Sequence, residues 1–247
     1  SGDLVSHPVS YFIDPILEHL PKFCDVLIYH NRPTSEEDVV SDAMKSYNLT
    51  WRNIAESSDE AAHKLILEDQ IDVLVDLSGH TAYHRLPLFA MRAAPVQVTC
   101  TGYPNTTGLR TMDYFLCHQT TCTDRLQKLF SEKMFPFSRT SFVYRPLIKN
   151  KSEIKSEKYS VKDTPALING YITFGTLNNI AKITDEVISI WAEILNNVDN
   201  SKIFVESPGF HQRDFVRDFT KRFQRFGIAK DRVVLRNRDP NLQYIRY

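Results

Sequence analysis

A chain of 247 residues with 42% hydrophobic and 24% charged residues can bury a core of ordinary size, which excludes a disordered tract and a small stapled module. Its 30 Lys and Arg balance 30 Asp and Glu, so the zero formal charge gives no sign of a nucleic-acid binder held by phosphate contacts, and no nucleic-acid partner is expected. No apolar run is long enough to cross a membrane and no secretory signal is visible, so no membrane partner is expected and the location is read as cytosol or nucleus.

Ser6 as an N-cap and Pro8 in the first turn open a helix over residues 9–20. Residues 25–29 follow as a short buried strand, and 35–47 are rich in helix formers. Ala61, Ala62, Leu65 and Ile66 stand at helical intervals within 58–69. Residues 71–77 read as a strand that ends in Ser78-Gly79-His80. A short helix over 86–92 precedes Pro95. Two more strands are expected at 96–100 and 112–117. Helices alternating with short apolar strands imply βαβ units and a parallel sheet, whose ligands sit at the carboxyl ends of the strands. That rule places two loops at a site, 78–82 and 101–108.

From Arg145 to Lys162 the chain changes character. Lys149, Lys151, Lys155, Lys158 and Lys162 alternate with Glu153 and Glu157 around few large apolar residues, which reads as a solvated linker. A second α/β pattern then begins. A strand over 171–174 leads through a loop at 175–182 to Thr184, a good N-cap. Val187, Ile190, Trp191, Ile194, Leu195 and Val198 are expected on one helical face. A strand over 202–206, a helix over 211–226 ended by Gly227 and a strand over 232–235 complete the pattern. Ser1-Gly2-Asp3-Leu4 has no initiator methionine, and a new unit starts near Leu235 and stops at Tyr247; both termini are read as cut.

Cys24, Cys100, Cys117 and Cys122 form no C-x-x-C pair and no zinc spacing, so all four are expected as free thiols in a reducing compartment. His80 and His84 lack a nearby carboxylate or cysteine in a ligand pattern, and no metal is expected. His80, at the end of a strand, suits a polar pocket or a plain surface position. The loop Gly102-Tyr103-Pro104-Asn105-Thr106-Thr107-Gly108 offers close backbone approach and hydroxyl donors, and it suits a tight turn equally well. In the turn Asn178-Asn179-Ile180-Ala181-Lys182-Ile183-Thr184, Lys182 lies just before a helix N-terminus, where backbone N–H groups and the helix dipole favour an anion. On spacing alone, a surface lysine beside an ordinary N-cap is the commoner outcome.

These segments recur in a fixed order: Ser6-His7-Pro8-Val9-Ser10-Tyr11-Phe12, the run 72–81 through Gly79-His80-Thr81, the run 92–99, Gly102 to Leu109, Met112-Asp113-Tyr114, and 169–175 through 178–184. Together they resemble the catalytic region of the SPINDLY and O-GlcNAc transferase family over nearly the whole chain. The runs 102–109 and 178–184 are closer to SPINDLY. The resemblance implies an α/β fold of GT-B type with two Rossmann-like lobes and the active site in the cleft between them. On that pattern, residues 1–145 form an N-terminal catalytic lobe without its first strand and 146–165 a linker. Residues 166–247 begin a nucleotide-sugar-binding lobe that is incomplete.

The implied reaction moves a sugar from a nucleotide-sugar to Ser or Thr of nuclear and cytosolic proteins, with no cofactor and no metal. The donor would be GDP-fucose, as for SPINDLY, in preference to UDP-GlcNAc; a non-catalytic interaction module is the alternative from another class. Lys182 and His7 take the catalytic positions. Asn179, Lys182, Thr101 and Gly102 take donor-binding positions, and His80, Tyr103, Pro104 and Asn105 line the cleft. Cys100 departs from relatives that carry tryptophan there. Family members also carry a tetratricopeptide array, absent here, through which a homo-oligomer would form. The fragment alone is expected to be inactive.

Overall fold

A computed structural model describes residues 1–140, 142–145 and 163–238. The lysine-rich segment read as a linker falls, over 146–162, outside the described residues. The chain divides into two compact units, Ser1–Leu147 and Ile148–Tyr247.

In the first unit the elements are α1 (Pro8–His19), β1 (Leu27–His30), α2 (Val39–Lys45), β2 (Thr50–Asn53), α3 (Asp59–Glu68), β3 (Val73–Asp76), α4 (Leu86–Ala90), β4 (Val96–Thr99), β5 (Tyr114–His118), α5 (Asp124–Gln127) and β6 (Lys133–Phe137). β1 pairs with β2, and β3 to β6 form a sheet in sequence order; all these pairings are parallel. Side chains alternate across each strand, so two cores form. Val9, Ile13 and Leu17 of α1 pack with Val40 and Met44 of α2 against Ile28 and Leu77. Ala62 and Ile66 of α3 pack with Leu88 and Phe89 of α4 against Leu74, with Tyr29 alongside. Helices on both sides of parallel strands are what full strand burial requires.

The second unit holds α6 (Pro165–Asn169), β7 (Ile172–Thr176), α7 (Asp185–Asn197), β8 (Ser201–Ser207), α8 (Arg213–Gln224) and β9 (Val233–Asn237), with the three strands parallel in the order β7-β8-β9. Ile188 and Leu195 of α7 and Phe219 and Phe223 of α8 close over Ile203 and Val205 of β8. Each fully buried side chain of this size contributes about 1.5–3 kcal/mol. Both units thus have the α/β architecture expected from the alternating pattern.

Several details differ from the sequence reading. His7, not Ser6, caps α1: its Nδ1 accepts from Val9 N at 3.3 Å, and Pro8 takes the first helical position. The buried stripe of α7 is Ile188, Ala192 and Leu195, with Val187 and Trp191 beside it, while Ile190 and Ile194 are exposed. β2 and β6 carried no usable signal. β2 has four residues and three of them, Thr50, Arg52 and Asn53, are polar. β6 contains Pro136, which an edge strand tolerates because one side of its backbone needs no partner. The four-free-thiol expectation is corrected: Cys117 and Cys122 are disulfide-bonded, leaving Cys24 and Cys100 free. The turn after β5, closed by Thr121 N and Cys122 N on His118 O, brings the two Cα atoms within 6.6 Å.

His30 ends β1 and is fully buried against Trp51, ring centroids 4.9 Å apart, with neither nitrogen hydrogen-bonded to a described residue. Burial pushes its imidazole from 6.5 down to about 4. Between these values the unfolded chain takes up a proton that the folded chain refuses, so stability is fully present above 6.5 and lost as pH falls toward 4. The loss at the acid end approaches about 3 kcal/mol. Urea midpoints of the full-length protein, followed at Trp51, are expected to fall steadily across that range; a constant midpoint contradicts the buried neutral imidazole.

Candidate functional site

The carboxyl ends of β3 and β4 carry most of the singled-out residues of the first unit. Asp76, the last residue of β3, is buried and joins the two strand ends. Its Oδ1 accepts from Ser78 N at 3.0 Å, and its Oδ2 accepts from Gly79 N and Thr99 Oγ1, each at 2.8 Å. Beyond β4 the chain turns sharply. Thr101 has φ +68°, and Gly102 N bonds Cys100 O at 2.8 Å. Gly102 lies so close to the end of β3 that a Cβ there would stand 1.9 Å from Leu77 O. Only glycine fits this approach. Gly79, at φ +53°, similarly packs under the Tyr103 ring.

His80 stands edge-on to Tyr103, ring centroids 5.4 Å apart, and its Nε2 lies 2.9 Å from Thr107 O. A carbonyl only accepts, so Nε2 carries the proton and a neutral His80 has an Nδ1 lone pair that no described residue uses. His7 is in the opposite state. Its Nδ1 lone pair is occupied by Val9 N–H, so a neutral His7 presents an Nε2–H donor. The structure therefore brings Thr101, Gly102, Tyr103 and His80 together, while the His7 side chain turns to Val9 N and Asp3 instead. Pro104 and Asn105 are exposed at the loop tip, where Asn105 Oδ1 accepts from Thr106 N at 2.8 Å. Cys100 is half-buried, and burial pushes its thiol up to about 11, so it stays protonated at neutral pH.

The loop after Asn105 is held by a residue that no sequence signal marked. Glu132, fully buried, accepts from Thr106 Oγ1 and Thr107 N, each at 2.7 Å, and from the Thr107 hydroxyl. Burial alone would raise its carboxyl, but the hydrogen bonds from Thr107 and Thr106 win and hold it below the usual carboxylate range. Arg85 was missed as well. It bonds Asn31 Oδ1, Asp59 and the carbonyls of Ile54 and Ser57, and so fixes the start of α4 beneath the 78–85 loop.

In the second unit the carboxyl end of β7 leads into the turn at 177–184. A single 3-10 turn, Ile180–Lys182, is pinned by Ile183, which is buried, and by Ile180, which packs on the same core. Around these anchors Asn178, Asn179, Ala181 and Lys182 face solvent. The Asn179 Oδ1 caps its own turn by accepting from Ala181 N at 3.0 Å, which leaves its amide NH₂ outward. The Lys182 ammonium has no ion-pair or hydrogen-bond partner among the described residues. Thr184 caps α7 through Val187 N at 3.4 Å. Asp185 and Glu186 occupy the first helical turn and would oppose an anion. Arg222 neutralises Asp185 at 2.6 Å, and Glu186 is hydrogen-bonded by Thr184. Attraction for an anion therefore rests on Lys182 more than on the helix dipole. Among the described residues, no group of three or more His, Cys, Asp or Glu is placed to hold a metal ion.

The chain resembles known proteins over most of its length. The model of glycosyl transferase family 41 matches residues 1–169. A barley (Hordeum vulgare) protein named "Probable UDP-N-acetylglucosamine-peptide N-acetylglucosaminyltransferase SPINDLY" is 34% identical over 95% of this chain and 24% of its own length. The SEC protein of Arabidopsis thaliana, named for the same activity, is 26% identical over 83% of this chain and 21% of its own. Among solved structures, a lysine-to-methionine mutant of Thermobaculum terrenum O-GlcNAc transferase superimposes with a TM-score of 0.80 at 32% identity, covering 97% of this chain and 44% of that one. The chain thus spans about a quarter of the length of these curated relatives.

Proposed function

Because the chain belongs to glycosyl transferase family 41, we propose that it carries part of the catalytic region of a protein O-glycosyltransferase, which moves a sugar from a nucleotide-sugar to Ser or Thr hydroxyls of cytosolic and nuclear proteins. The observation that carries the reading is the turn at 177–184: a Lys182 ammonium with no partner among the described residues, held out of the core by Ile180 and Ile183 at the carboxyl end of a parallel strand. In sugar transfer, the nucleoside diphosphate leaves with growing negative charge. A preorganised ammonium stabilises that charge more in the transition state than in the bound donor, which raises turnover. The outward Asn179 amide adds a neutral donor beside it. Lys182 thereby does the work that a divalent cation does in metal-dependent transferases, and the reaction is metal-independent.

In the first unit, Thr101, Gly102, Tyr103 and His80 form the polar surface offered to the sugar and the acceptor, with Pro104 and Asn105 at its rim. His80, with its free Nδ1, suits accepting a proton from a hydroxyl, whereas capping His7 suits donating a hydrogen bond.

For the donor sugar we favour GDP-fucose, because the runs 102–109 and 178–184 are SPINDLY-like and identity to the SPINDLY relative, 34%, exceeds that to SEC, 26%. UDP-GlcNAc is the second reading, favoured by the activity in both relatives' names. Offering each donor to the full-length protein with an acceptor protein, in the presence of a chelator, separates them by the mass added. A deoxyhexose mass supports fucose and an N-acetylhexosamine mass replaces it with the second reading. Addition of neither, with or without metal, overturns the transferase assignment.

A further inference from the structure

We propose that Cys117 and Cys122 form a reversible thiol–disulfide switch that sets how firmly the 105–108 loop is held. Cys117 lies in β5 and is 5% exposed, whereas Cys122 is half-buried on the turn that follows. The pair sits in a small core of its own, between Phe115 and Met134, with Leu126 and Phe130 packed against it. This core ties β5, α5 and β6 together and is separate from the two larger cores that flank the strands.

A continuous set of bonds runs from that core to the loop. Gln127, at the end of α5, donates its side-chain amide to Glu132 O at 2.9 Å and accepts from Met134 N at 2.9 Å. Glu132 in turn holds Thr106 and Thr107, and Ser131 N donates to Thr106 Oγ1 at 3.2 Å. The disulfide fixes the start of the segment whose far end carries this clamp. Opening it frees the 118–123 turn and α5, which has a single turn of its own and no fully buried side chain. In the reduced state the Cys117 thiol has an acceptor at hand, Phe135 O at 3.7 Å, so neither state leaves it without a partner. If the protein acts on cytosolic and nuclear acceptors, as proposed above, the bond stands in a reducing compartment, where disulfides are commonly transient and redox-sensing.

The switch works by exchange with a low-molecular-weight disulfide. The more accessible Cys122 thiolate attacks one sulfur of that reagent, forming a mixed disulfide and expelling a thiolate. The Cys117 thiolate then attacks the Cys122 sulfur and expels the second. The protein gives up two protons and two electrons, and the reagent becomes two thiols; an external dithiol reverses both steps.

Any effect on turnover rests on the proposed role of the 101–108 loop, whereas the bond and the clamp stand on geometry alone. The test equilibrates the full-length protein with glutathione disulfide or with dithiothreitol. Peptide mapping reads alkylation of each cysteine, and hydrogen exchange reads the amides of Thr107, Gly108 and Leu109. In the oxidised protein, Cys117 and Cys122 are expected to resist alkylation and their peptide to lack two hydrogens. On reduction, the loop amides exchange roughly tenfold faster. Cys122→Ala is expected to exchange like the reduced protein in both buffers. Full alkylation of both cysteines after oxidation overturns the switch, as does identical loop exchange in the two states of the wild type. A redox-dependent exchange rate without any sugar transfer supports the switch and removes the transferase reading alone.

Discussion

Lys182→Ala in the full-length protein is expected to lose roughly 100- to 1000-fold in kcat, the loss typical when one preorganised stabiliser of a developing anion is removed. The side chain is exposed and has no described partner, so its loss leaves the fold intact. KM for the donor should change far less than kcat, because the ammonium acts mainly on charge that appears as the diphosphate departs. Lys64→Ala, on the exposed face of α3, is the matching control and should leave both constants unchanged. Single-turnover measurements remove product release from the comparison. Near-normal single-turnover transfer by the Lys182 variant returns this residue to the status of a surface lysine beside an ordinary helix cap.

The second large effect is structural. Gly102→Ala places a methyl group 1.9 Å from Leu77 O, 2.8 Å from Leu77 C and 3.3 Å from Ser78 Cα. All three are backbone atoms, so no side chain can rotate away and the ends of β3 and β4 must separate. A cost of about 3 kcal/mol or more is expected, at the upper end of the range for overpacking. Gly108→Ala in the same loop is the informative comparison. Nothing lies within 4 Å of its added Cβ, and its cost comes only from φ +76°, about 1–2 kcal/mol. Thermal unfolding of the two variants should differ by several degrees with Gly102→Ala the less stable. Equal midpoints contradict the close approach.

The architecture was legible in the sequence wherever the hydrophobic period was strong. β3, β4 and β8 each contain a short stretch of β-branched or apolar residues, and α7 has an N-cap and a clear apolar stripe. The stripe still came out rotated, because Ile190 and Ile194 match it in hydrophobicity and only packing distinguishes them from Ile188 and Ala192. The local motifs at the site were legible too: a glycine where strand ends converge, and a lysine before a capped helix. What bonds across sequence distance was not. Glu132 reads as a surface residue in Ser131-Glu132-Lys133, and its partners Thr106 and Thr107 stand 26 and 25 residues earlier. The Cys117–Cys122 pair matches no spacing template and depends on the turn after β5. Asn179 was read as a donor contact, yet half of its side chain caps its own turn, a use that spacing does not reveal.

The most direct test of the account is calorimetric binding of a nucleoside diphosphate and of the corresponding nucleoside to the full-length protein, wild type against Lys182→Ala. The diphosphate is expected to bind roughly 10- to 100-fold more weakly to the variant, the range for losing one charged hydrogen bond, while affinity for the nucleoside stays the same. Equal diphosphate affinity for both proteins would contradict the assignment of the Lys182 turn as the place where the leaving diphosphate is held.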